Sequence, residues 1–187
     1  MSSFYRWAAE DQMFLDNAVK VTAQPEVAQR ALRQAELGGR WSGIDYLGKL
    51  LASVPRHTGE YPVEALSFAV AAIRAAGDAR LEASAALSAA EGASNSPGGP
   101  GFVAFKETWI QKKSVAIVMS AVAVELARYS VTLNERARGD HQWQGMHDAA
   151  VEVADFVEMA TKASAKSSSL AEKAADWDLA KRPRQRR

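Results

Sequence analysis

The chain has 187 residues, 48% apolar and 24% charged, and its 23 Lys and Arg nearly balance 22 Asp and Glu for a net charge of +1. That length is enough for one domain with a buried core, and that composition excludes disorder throughout. Cysteine is absent, which excludes disulfides, thiolate catalysis and Cys-ligated zinc together.

Phe4, Trp7, Phe14, Leu15 and Ala18 recur at near-helical spacing, with Asp11 alone breaking the stripe. With Ser2 or Ser3 as a cap, they predict a first helix over about residues 4–22. Pro25 suits the first turn of a second helix carrying Val27, Ala28, Ala31, Leu32 and Ala35, which Gly38-Gly39 ends. Ser42 caps a third with Ile44, Leu47, Leu50 and Leu51, stopped before Pro55. A loop over 56–61 follows. Pro62 opens a fourth helix with Val63, Leu66, Val70 and Ile73, closed by Gly77, and Asp78 caps a fifth that fades at Gly92.

The stretch 93–101, Ala-Ser-Asn-Ser-Pro-Gly-Gly-Pro-Gly, cannot sustain a helix and reads as a surface loop. Beyond it, Glu107, Gln111, Ser114, Glu125, Arg128, Thr132 and Glu135 draw one polar stripe along a helix of about 106–138. Val118 and Ala121 interrupt that stripe, so from Val115 to Val124 the helix is apolar on every side and must be covered on every side. After Gly139-Asp140, Met146, Ala149, Ala150, Val153, Phe156, Val157 and Ala160 predict a helix over about 142–165 that packs back antiparallel on the long one. Ser169 with Glu172 matches a capping box and predicts a short helix through Ala180, before Pro183 releases the tail.

The expected fold is all-α: a bundle of about seven to eight helices around one long central hydrophobic helix, with residues 1–180 as one domain and 181–187 as a basic tail. The N-terminus lacks a basic segment followed by an apolar one, so no signal peptide is read. The run from Val115 to Val124 is shorter than the roughly 17–25 residues of a membrane span, so no transmembrane segment and a soluble, cytoplasmic protein are expected. Abundant Ala and Arg point to a high-GC bacterial genome.

Few groupings could carry chemistry. At about 100° per residue, His141, Asp148, Glu152 and Asp155 share one helix face, a set of nitrogen and oxygen donors of the kind divalent metals accept. The same face lies opposite the apolar stripe, which makes it the solvent side, so no metal and no cofactor is assigned. No Glu has His three residues on, which removes a ferritin-like di-iron centre. There is no Gly-x-Ser-x-Gly elbow, and Gly98-Gly-Pro-Gly101 lacks the Lys-Ser/Thr of a phosphate loop. No catalytic residue is assigned.

Two surface features remain. Lys181, Arg182, Arg184, Arg186 and Arg187 put five cations in the last seven residues, suited to nucleic-acid phosphates, an anionic surface or an acidic partner. Lys162, Lys166 and Lys173 extend that patch upstream. Asp148, Glu152, Asp155 and Glu158 form an acidic face suited to a partner protein. The leading expectation is a non-enzymatic helical interaction protein, an adaptor, inhibitor or immunity type, whose partner is a macromolecule and most simply a protein. The alternatives are a nucleic-acid accessory protein that grips phosphates through the tail, and an enzyme or small-ligand binder with a pocket beside the central helix.

Overall fold

The computed structural model describes residues 2–52, 54, 60–139 and 144–179, with side chains from residue 11 onward. Among them are seven helices and no strand: α1 (Ser2–Lys20), α2 (Pro25–Glu36), α3 (Gly43–Leu51), α4 (Tyr61–Asn95), α5 (Phe102–Gly139), α6 (Gln144–Glu152) and α7 (Ala154–Ala175). The expected all-α bundle around one long helix is what forms. The side chains of Phe4 and Trp7, and all of His57, His141, Trp143 and the tail 181–187, lie outside the described residues.

Short signals set the ends of the early helices. Pro25 occupies the first turn of α2, and Gly39 follows its end at φ 60°, a left-handed conformation that favours glycine. Ser42 Oγ accepts the amide of Asp45 at 3.3 Å to cap α3, while Glu36 Oε1 accepts the amide of Gly43 at 3.1 Å. Pro25, Gly39 and Ser42 act as the sequence predicts; the Glu36 contact is additional.

The fourth and fifth predicted helices are instead one helix, α4, of 35 residues. Gly77 and Asp78 do not break it. Ala65, Ala69, Ala72, Ala76, Ala79, Ala83, Ala86, Ala90 and Ala93 alternate steps of four and three, and every one of them is 0% exposed. A single glycine costs a helix about 1 kcal/mol, which that continuous buried seam outweighs. The loop expected at 93–101 is shortened, because α4 runs on to Asn95.

α5 and α7 carry matching seams. On α5 it is Ala116, Ala123, Ser130, Asn134 and Ala137, with Ser120 and Ala127 at its edge; on α7 it is Val157, Ala160, Ser167 and Ala174, with Ser164 and Ala171 at its edge, all buried. With little beyond a methyl or hydroxymethyl between them, the three axes can approach closely. The α4–α5, α4–α7 and α5–α7 pairs are the most extensive in the molecule. Seam hydroxyls are satisfied on their own helices: Ser130 Oγ donates to Ala127 O at 2.7 Å and Ser167 Oγ to Ser164 O at 2.7 Å.

A second correction follows from the same seam. Ser169 is expected to cap a short separate helix, yet α7 passes through it to Ala175, held by the buried Ser167, Ala171 and Ala174. The break comes earlier, at Val153 (φ −88°, ψ −4°), so the predicted helix over 142–165 is split between α6 and α7. Phe156, placed on the predicted apolar stripe, ends up 43% exposed on the far side of that bend.

α1 and α2 cover another side of α5 with larger residues, and α3 packs beside them on α1 and α4. Leu15, Val19, Leu32, Leu47, Leu50 and Leu51 form one cluster with Val118, Val122 and Leu126. Val118 is 0% and Ala121 2% exposed, so most of the apolar centre of α5 is covered as expected, but Ile117 and Val124 within it stay partly exposed. Trp109 Nε1 donates to Ala174 O at 2.9 Å, and Trp177 Nε1 donates to Ser94 Oγ at 3.2 Å, which ties the three long helices at one end. α5 is long and apolar enough to cross a membrane by length and composition, although its longest uninterrupted run is not; 61% of its most apolar window is buried here.

Candidate functional site

One side of α5 is left half covered. Ile110, Ile117, Val124 and Val131 stand seven residues apart along it, each half-buried. Two clefts, about 590 Å³ and 370 Å³, share Val124 and form one trough along this row. From Ile110 to Val131 the floor runs about 32 Å at 1.5 Å per residue.

α2 and α7 make the walls. α2, with the turn before it, contributes Gln24, Val27, Arg30 and Gln34 to the larger cleft, and α7 contributes Ser168, Ala171, Glu172, Ala175 and Asp176. In the smaller cleft α7 continues with Thr161, Ser164 and Ala165, facing Arg128 and Thr132 of α5. The α7 wall is built mostly of small side chains, so the trough is wide at the mouth. Its α2 side carries a cation, Arg30, and its α7 side two carboxylates, Glu172 and Asp176.

Lys113 lies in the floor between them. Its Nζ sits 3.6 Å from the centroid of the Trp109 ring, a cation–π contact. Burial pushes its amine below the ordinary lysine range, and the nearby charge of Asp176 pulls the other way. The trough hydroxyls are engaged with their own backbones: Ser114 Oγ donates to Ile110 O at 2.7 Å and Ser120 Oγ to Ile117 O at 2.9 Å. These polar groups are lining, not a base paired with a nucleophile.

The residues singled out in the sequence lie elsewhere. Asp148, Glu152, Asp155 and Glu158 are all exposed, with the bend at Val153 dividing Asp148 and Glu152 from Asp155 and Glu158. Asp148 Oδ1 accepts from Gln144 Nε2 at 3.0 Å, and Glu158 pairs with Lys162 one turn on, which holds its carboxyl below the usual range. Among the described residues no three His, Asp or Glu gather as a metal set. Lys162, Lys166 and Lys173 are exposed along α7, while Lys181, Arg182, Arg184, Arg186 and Arg187 fall outside the described residues.

The trough was missed although its floor is written in the chain. A seven-residue repeat of β-branched residues, Ile110, Ile117, Val124 and Val131, runs through the stretch read only as apolar all round. The chain matches no protein-family model, no curated protein and no solved structure.

Proposed function

We propose that this chain is a non-enzymatic helical interaction protein that binds a partner protein along the α2–α5–α7 trough. The observation that carries this reading is the row Ile110, Ile117, Val124 and Val131, regular in spacing and half covered along its length. A half-covered apolar row forgoes hydrophobic stabilisation that a docked surface restores, and contiguous patches of this kind mark interaction sites. The mixed charges on the walls supply orientation and selectivity more than raw affinity.

The test places a photo-crosslinking residue at Gln34 or Ala165, in the trough mouth, and at Arg80 or Glu91, on the outer side of α4, in cells of the native host. Discrete protein adducts from the first pair and none from the second are expected. Equal labelling from all four, or adducts with nucleic acid in place of protein, would sink the reading.

A further inference from the structure

We infer that the occupant of the trough is an amphipathic α-helix of the partner protein, apolar at heptad spacing, with its acidic flank toward α2 and its basic flank toward α7. The inference rests on the docking reading above and names the shape and charge of what docks.

Spacing selects a helix. Floor residues seven apart on α5 recur every 10.5 Å or so, at about 1.5 Å per residue, and a second helix running alongside repeats its own apolar row at the same interval. An extended strand presents a side chain to one face every 6.6 Å or so and falls out of step after one residue. β-Branched residues at one position of each heptad are also what paired helices use at their seam. In α5 those positions are Ile110, Ile117, Val124 and Val131, and the residues that alternate with them are the small Ser114 and Ala121 and, between Val124 and Val131, Arg128.

The walls fit the same occupant. Thr161, Ala165, Ser168 and Ala175 keep the α7 side low, so a helix can settle toward α5, and clefts of about 590 and 370 Å³ accept a row of inserted side chains. Arg30 on one wall and Glu172 with Asp176 on the other then face the two flanks of the docked helix. Flanking charges of this kind set partner choice and direction in helix pairs.

The experiment uses the full chain and three synthetic helical peptides of about 21 residues, three heptads long, identical at their apolar positions. One has an acidic and a basic flank, one has two acidic flanks and one has two basic flanks. We expect saturable one-to-one binding, with the mixed peptide about tenfold tighter than either of the others. The exposed pair Glu172→Lys with Asp176→Lys, which leaves the core untouched, should shift the preference to the all-acidic peptide. Val124→Gln should weaken all three. Equal binding of the three peptides, or a preference that the two lysines leave unchanged, overturns the inference. So does a dimer of this chain, seen by sedimentation, that none of the peptides dissociates. Adducts from position 34 in host cells while every peptide fails to bind overturn the helix and leave the docking reading standing.

Discussion

Two adjacent faces of α5 meet their neighbours in opposite ways. On the seam face, Ala116, Ala123 and Ala137 are 0% exposed. On the trough face, Ile110, Ile117, Val124 and Val131 are larger and more hydrophobic, yet less completely covered. Size and burial are thus inverted relative to what transfer free energy alone would select. Small residues close the bundle because they let backbones approach; the large ones stand where no fourth long helix lies. That inversion is the reason to read the second face as built for something outside the chain.

The sharpest way to break the comparison uses two neighbours on α7. Ala174 is 0% exposed in the seam, and Ala175 lines the trough. Ala174→Leu should cost about 3 kcal/mol or more, since extra methylenes in a closed seam push helices apart. Ala175→Leu should stay within about 0.5 kcal/mol. Urea unfolding of both variants checks this, and equal losses would mean the trough face is packed like the seam. Trp109→Phe comes next, since it removes the indole donor from Ala174 O at 2.9 Å and keeps most of the ring beneath Lys113. A loss of about 1–2 kcal/mol is expected, with peptide binding in the trough changed far less.

Gly77 sharpens the seam side. It is exposed in mid-helix, and an added Cβ there meets nothing within 4 Å. Gly77→Ala should therefore stabilise by about 0.5–1 kcal/mol, read as a higher midpoint in thermal unfolding. A loss instead would mean that α4 bends at this point and that its nine-alanine seam is two seams.

What could be read from the chain follows the same division. Pro25, Gly39 and Ser42 act through local geometry, so α2 and α3 fall within a residue or two of where they were expected. The apolar centre of α5 was legible in 115–124, but the expected covering on every side fails at Ile117 and Val124, which stay partly exposed. Gly77-Asp78 and Ser169 mislead, since their local preference for a break is overruled by the buried small residues on α4 and α7. Recognising the trough takes one more step. The repeat at Ile110, Ile117, Val124 and Val131 is visible in sequence, but that it faces a gap depends on where α2 and α7 stop.

The last test concerns Tyr46, which links α3 to the seam helix α4 by donating its hydroxyl to Asp78 Oδ2 at 3.0 Å. Burial, then the charge of Asp78 and that hydrogen bond, raise its ionisation far above the ordinary 10.0. Below pH 10 the phenol is neutral in both folded and unfolded chains, and the link contributes its full stability. Above pH 10 the unfolded chain ionises Tyr46 while the folded chain cannot, so the unfolded state is favoured and stability falls. The wild type should exceed Tyr46→Phe by about 1 kcal/mol at pH 8. Urea titrations should show that margin constant up to about pH 10 and shrinking beyond it, because phenylalanine has no proton to lose. A margin that stays flat to pH 11 would place the Tyr46 ring in water, and the middle of the α4 seam, where α3 meets it, would then be as open as the trough.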